Sequence, residues 1–214
     1  MKNIKCIIFD CDGVLVDSEA IGNQVLLEMA QEFGLQMSMD DAFLNFDGRS
    51  LQHCFQHIEE VTGQKLPSNF EAAYRRKSFE AFKNDLQPIA GVKEFIAKLK
   101  IPFCVASSGP VEKIILNLTT VGLMDQFENK IFSAYQINKW KPEPDLFLWA
   151  AKKMGFQVDE CIVIEDSEVG IIAAKNGGFK VFALSNGTNK KDLEQQGAVV
   201  FENFKELEDM LRKY

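Results

Sequence analysis

Two aspartates, Asp10 and Asp12, close a short apolar run, Cys6-Ile7-Ile8-Phe9, and lead into Gly13-Val14-Leu15-Val16-Asp17-Ser18-Glu19. Side chains two apart on an extended segment point the same way, so both carboxylates face one small volume if the chain stays extended that far. Burying an unpaired charge is costly, and two carboxylates sharing a site invite a divalent cation or a shared proton. An acidic turn that caps the next helix fits the same residues.

Three more places carry residues of a useful type. In Ser107-Ser108-Gly109-Pro110 a small hydroxyl residue ends an apolar run and a helix opens behind it. Free backbone N–H groups at such a helix start attract an anion, although a serine there also serves as a plain cap. In Trp140-Lys141-Pro142-Glu143-Pro144 the two prolines predict a stiff, extended loop. It presents the Lys141 ammonium with little backbone freedom, as a phosphate partner or as surface decoration. In Glu165-Asp166-Ser167 acids again end an apolar run, and Asp166 is placed either to cap the following helix or to bind a ligand. Carboxylate oxygens without a neighbouring histidine or cysteine suit magnesium better than zinc. His53 and His57 lie four apart but have no companion acid motif, and Arg75-Arg76-Lys77 reads as a solvated helix face. Cys11, flanked by two acids, has a thiol that its neighbours make harder to ionise.

These residues need elements to position them. Short apolar runs at Lys5–Phe9, Phe103–Ala106, Ile131–Ser133, Cys161–Ile164, Lys180–Leu184 and Ala198–Phe201 read as strands. Between the later ones, apolar residues recur three or four apart, as in Val92, Phe95, Ile96 and Leu99. That alternation predicts an α/β fold, a Rossmann-like parallel sheet flanked by helices. The stretch after the first strand has no convincing strand and reads as consecutive helices, with Ile21, Val25, Met29 and Phe33 on one face and further helices over Leu51–Thr62 and Phe70–Asn84. We therefore expect a core domain of residues 1–16 and 86–214 and an inserted helical domain of residues 17–85, with hinges near Leu15–Ser18 and Asp85–Pro88.

With 24 basic and 31 acidic residues the formal charge is −7, which disfavours a nucleic acid or an anionic membrane as partner. Five cysteines without regular spacing or a CxxC pair suit a reducing cytoplasm, and no apolar run reaches membrane-spanning length. A monomer is the default expectation.

Phe9-Asp10-Cys11-Asp12-Gly13-Val14-Leu15-Val16-Asp17-Ser18-Glu19 resembles the first motif of the haloacid dehalogenase superfamily, within the branch of sugar-phosphate phosphatases and β-phosphoglucomutases that carry a helical cap. The Ser107, Lys141-Pro142 and Glu165-Asp166 segments resemble its later motifs, in the same order along the chain. The resemblance implies a magnesium-dependent phosphatase of small phosphorylated metabolites, with Asp10 as nucleophile and Asp12 as acid and base. It further implies that Ser107, Ser108 and Lys141 bind the phosphoryl group, and that Asp10, Asp12 (through its backbone carbonyl), Glu165 and Asp166 bind Mg2+. An acid two residues after the nucleophile favours phosphoryl transfer over dehalogenation. Gly48 and Arg49, in Phe46-Asp47-Gly48-Arg49-Ser50, match a cap loop that such relatives use for specificity: the glycine permits a sharp turn and Arg49 suits an anionic or hydroxylated substrate. Trp140 before Lys141-Pro142, with Ser107-Ser108-Gly109-Pro110, is similar to members acting on phosphorylated sugar acids such as 6-phosphogluconate.

Two other readings share these motifs. A β-phosphoglucomutase-type phosphotransferase carries a cap-side histidine where this chain has Gly22. A non-catalytic phosphate-sensing module, like a response-regulator receiver, also gathers acids, a hydroxyl and a lysine around magnesium, but is far shorter and has no inserted domain.

Overall fold

The computed structural model describes residues 4–46, 49–185, 187 and 189–212. In chain order the elements are β1 (Cys6–Phe9), β2 (Val16–Asp17), α1 (Glu19–Gln31), α2 (Met39–Phe46), α3 (Leu51–Thr62), α4 (Phe70–Asp85), β3 (Gln87–Pro88), α5 (Val92–Lys98), β4 (Phe103–Ser107) and α6 (Val111–Thr120). There follow α7 (Met124–Phe127), β5 (Ile131–Ser133), α8 (Ala134–Ile137), α9 (Asp145–Met154), β6 (Cys161–Glu165), α10 (Glu168–Asn176), β7 (Lys180–Leu184), α11 (Lys190–Gln195), β8 (Val199–Phe201) and α12 (Phe204–Leu211). The chain divides into two compact units, one of Met1–Val16 with Gln87–Tyr214 and one of Asp17–Leu86.

The first unit is an α/β layer structure around a six-stranded sheet of order β5-β4-β1-β6-β7-β8, with every described pairing parallel. A parallel sheet is covered by helices on both faces, so its strands are apolar throughout rather than alternating. Cys6, Ile7, Ile8 and Phe9 accordingly have no exposed surface. Phe9 meets the rings of Phe95, Phe103 and Phe127 edge to face, and burying such a ring is worth about 2–3 kcal/mol. On the other side, Cys6, Ile8, Cys104, Cys161 and Val163 pack with Leu146, Phe147 and Ala150 of α9 and Ile171 and Ala174 of α10.

The order of strands decides where a ligand can sit. Connections leave β1 in one direction through β4 and β5, and in the other through β6, β7 and β8. Ligands collect at the carboxyl ends of strands where the winding reverses, and here that edge is formed by β1 with its neighbours β4 and β6.

The second unit is a helical bundle with its own core. Val25, Leu26, Met29 and Ala30 of α1 pack with Leu35, Phe46, Cys54, Ile58 and Phe70, and Phe55 and Phe33 meet Phe70 edge to face. Helix α3 starts at a true cap, where the Ser50 hydroxyl accepts from the His53 N–H. Two short strands that the sequence does not announce, β2 and β3, pair as a ribbon near residues 16 and 87. All five cysteines are free and buried. Among the described residues, no helix is long and apolar enough to cross a membrane.

Candidate active site

Strand β1 delivers Asp10. The Asp10 N–H donates to the Ile164 carbonyl at 2.9 Å, which prolongs the sheet by one rung before the chain turns. It then does not stay extended. Leu15 and Val16 both donate to the Cys11 carbonyl, and Gly13 donates to Val16 at 2.8 Å. This turn gives the two aspartates different neighbours, whereas the spacing alone predicts a shared volume.

Asp10 points into a buried group. Lys141 Nζ lies 2.5 Å from Asp10 Oδ1 and also pairs with Glu165 Oε1. The lysine side chain is 5% exposed, and Glu165 has no exposed surface. The other Glu165 oxygen accepts from the Asp166 N–H, the Ser167 N–H and the Ser167 hydroxyl, each at 2.9 Å. Ser167 also caps α10 by accepting from the Gly170 N–H. The capping role open to Asp166 in the sequence is therefore taken by Ser167.

Two glycines make this packing possible. Gly13 has φ +78°, and a Cβ there would stand 1.9 Å from Asp166 Oδ2. A Cβ on Gly170 would stand 1.9 Å from Glu165 Oε1. Real Cβ contacts are far longer, so each glycine reserves the place of a carboxylate.

Asp10, Glu165 and Asp166 each present a carboxylate oxygen, and the three atoms lie within 4.8 Å of one another. The donor set is all hard oxygen, three carboxylates of which Asp10 and Glu165 pair with the Lys141 ammonium, and it suits a divalent cation of the magnesium or calcium type. The Asp12 side chain is not part of this group. Its Oδ2 lies 2.9 Å from Lys113 Nζ, and its Oδ1 accepts from Asn117 Nδ2 at 3.2 Å. Both partners stand on α6, and neither is among the residues that the sequence singles out.

Burial pushes the Asp10 carboxyl up to about 7; Lys141 opposes this, and Glu165 and Asp12 add to it. Burial works against the charged form of Lys141, but Asp10 and Glu165 outweigh it and hold the ammonium well above its ordinary value. Burial, then Asp12 and Asp10, raise the Cys11 thiol well above the usual range, so this cysteine stays a protonated hydrophobe.

Ser107 ends β4 with its hydroxyl accepting from the Gly109 N–H at 3.0 Å, and it is buried. A Cβ on Gly109 would touch Ser107 Oγ at 3.4 Å and Asp12 Oδ2 at 3.9 Å, so this loop adjoins the Asp12 side of the site. The Ser133 hydroxyl holds the Gly109 carbonyl at 2.6 Å. Ser108 is half-buried in the same loop. The segment around Lys141 is a turn, closed by Glu143 N–H to the Trp140 carbonyl at 2.9 Å and containing a cis Lys141–Pro142 peptide, rather than the extended loop predicted from its prolines. Arg49 belongs to the helical unit, exposed between α2 and α3, and Gly48 lies outside the described residues.

A model of the haloacid dehalogenase-like hydrolases matches residues 7–184, a span that runs from β1 to the end of β7 and includes every residue of the buried group. The chain belongs to this family. Among haloacid dehalogenase-like proteins it is 31% identical to the 6-phosphogluconate phosphatase of Escherichia coli (strain K12) over 98% of this chain and 96% of the relative. A conserved haloacid dehalogenase-like protein of unknown function from Agrobacterium tumefaciens superposes with a TM-score of 0.88 at 29% identity, covering 99% of both chains. A family hydrolase from Deinococcus radiodurans, solved with phosphate and sodium bound, gives 0.83 at 26% identity over 98% of this chain and 96% of that one. The chain is an enzyme, a phosphoric monoester hydrolase of the haloacid dehalogenase-like family.

Proposed function

We propose that this phosphatase hydrolyses small phosphorylated metabolites, sugar phosphates or phosphosugar acids, with magnesium as cofactor and a phosphoaspartate on Asp10 as intermediate. The observation that carries the reading is the buried contact of Lys141 with Asp10 and Glu165, beside Asp166, at the carboxyl edge of adjacent parallel strands. Phosphate bound in the Deinococcus radiodurans relative and the substrate named for the Escherichia coli relative support it.

In this mechanism an Asp10 oxygen attacks phosphorus, and the bond from phosphorus to the substrate oxygen breaks. Asp12 gives the departing alkoxide its proton. It then takes a proton from the water that attacks the phosphoaspartate, and the bond between phosphorus and Asp10 breaks to release inorganic phosphate. Lys141 holds a phosphoryl oxygen and keeps Asp10 oriented through their ion pair. The Ser107 hydroxyl and the loop through Ser108 bind the remaining oxygens, and the N-terminus of α6 adds its backbone dipoles. Magnesium, held by Asp10, Glu165 and Asp166 with the Asp12 carbonyl, supplies positive charge that offsets the repulsion between a carboxylate and a phosphate dianion. Asp17–Leu86 is the cap that selects the leaving group, with Arg49 a specificity residue.

A panel of sugar phosphates, phosphosugar acids and nucleotides, assayed with magnesium and with chelator, tests the reading. The expected result is the highest kcat/KM on a phosphorylated sugar or sugar acid, abolished by chelation. Equal turnover with and without chelator would reject the metal, and a preference for nucleotides would reject the substrate class.

A further inference from the structure

Asn117 is out of place on α6. The residues beside it on the buried face, Ile114 and Leu118, are apolar, and all three are 1% exposed or less. An amide in such a setting costs free energy unless its groups are bonded. Asn117 Nδ2 has a partner in Asp12 Oδ1, but among the described residues Asn117 Oδ1 accepts no hydrogen bond. Packing alone would favour a leucine. An amide placed here at this cost points to the one bond that its side chain makes among the described residues.

Lys113 stands one turn before Asn117, on the same helix face, and its Nζ reaches the other Asp12 oxygen at 2.9 Å. Two donors from a single helix therefore hold both oxygens of one carboxylate, which sets the plane of the carboxyl group as well as its place. Both donors ride on the element that starts directly after the Ser107–Pro110 loop, so the acid and the phosphate-binding loop share one frame. The lysine is 21% exposed and Asp12 27% at the side chain, and the pair borders the site rather than lying sealed beneath it.

The geometry points to Lys113 and Asn117 as positioning residues that hold the Asp12 carboxyl group for proton exchange with the leaving group. This rests on the reading of Asp12 as the general acid, and the test separates the two. The p-nitrophenolate ion leaves without a proton, whereas an alkoxide needs one. The parameter kcat/KM reports only steps through departure of the leaving group, so later hydrolysis of the phosphoaspartate does not enter. The readout is the ratio of kcat/KM on the alkyl ester turned over fastest in the panel to kcat/KM on p-nitrophenyl phosphate.

General acid catalysis contributes about 10²–10⁴-fold, and misplacing the acid forfeits part of this, so Asn117→Leu and Lys113→Met should each lower the ratio about tenfold or more. Asp12→Asn should lower it further, and Lys113→Arg should recover part of the loss. The melting temperature of Asn117→Leu should equal or exceed that of the parent, because an unbonded buried oxygen is removed. If Asp12→Asn lowers the ratio but Asn117→Leu and Lys113→Met leave it within about twofold, positioning is wrong and Asp12 remains the acid. If Asp12→Asn leaves the ratio intact, Asp12 is not the acid and the inference falls with it. Equal losses on both esters with a lower melting temperature would assign Asn117 and Lys113 a merely structural role.

Discussion

Gly170→Ala sets two effects of opposite sign against each other. Gly170 lies in the first turn of α10, where alanine is ordinarily the better helix former by up to about 1 kcal/mol. Its Cβ, however, would stand 1.9 Å from Glu165 Oε1, so the carboxylate must move by roughly 1.5 Å to reach ordinary contact. No hydrogen bond survives such a shift. Glu165 is fully buried, and it makes three hydrogen bonds through one oxygen and an ion pair with Lys141 through the other. Breaking a buried ion pair costs about 3–5 kcal/mol, so we predict a net destabilisation of about 2–4 kcal/mol with a large loss of turnover. The assay is urea unfolding followed by tryptophan fluorescence, since both tryptophans, Trp140 and Trp149, belong to the α/β unit. In a Glu165→Ala background the clash is gone, and Gly170→Ala should then be neutral or stabilising by up to about 1 kcal/mol. Parental stability in the single Gly170→Ala variant, or the same sign in both backgrounds, would show that Glu165 does not depend on the space Gly170 leaves.

Three further outcomes follow from the same geometry. Lys141→Met removes the ammonium shared by Asp10 and Glu165 and should abolish turnover while lowering stability by about 3–5 kcal/mol; a variant within threefold of parental kcat would count against the site. Arg49→Ala should raise KM for sugar phosphates by about tenfold and for p-nitrophenyl phosphate much less, which steady-state kinetics on both esters will show. All five cysteines should resist a thiol reagent in the native protein and react together on unfolding, because each is buried and burial and the flanking acids hold the Cys11 thiol well above its ordinary value; rapid native labelling of Cys11 would contradict this.

The α/β architecture was legible because parallel strands must be apolar on both faces. Ile131–Ser133 and Lys180–Leu184 coincide with the runs read from composition, and Cys161–Ile164 falls one residue short because Glu165, though charged, completes the strand. The carboxylates at strand ends were legible for the same reason: an acid that interrupts such a run needs a partner. What the partners are was not legible. Nothing in Val111-Glu112-Lys113-Ile114-Ile115-Leu116-Asn117-Leu118 sets it apart from an ordinary amphipathic helix except an asparagine on the apolar side. Recognising that signal needs the position of Asp12, which lies 105 residues away in the chain. The split between Asp10 and Asp12 depends on a turn closed by backbone hydrogen bonds, which side-chain spacing does not encode. Gly13 and Gly170 matter through contacts with Asp166 and Glu165, and glycine in a sequence does not say which atom comes close. Helix α2 escaped notice because its eight residues make little more than two turns, too few for an apolar spacing to repeat.

The proposed mechanism requires that phosphate pass through a covalent bond to Asp10. Rapid quenching in acid during turnover of the best ester, followed by reduction with borohydride and peptide mass spectrometry, measures this directly. Reduction of the acyl phosphate should convert Asp10 to homoserine, in the parent and not in Asp10→Asn, with Asp12, Asp17 and Asp166 untouched. A parent enzyme in full turnover that yields no modified Asp10, or Asp10→Asn with undiminished activity, would rule out the phosphoaspartate on Asp10.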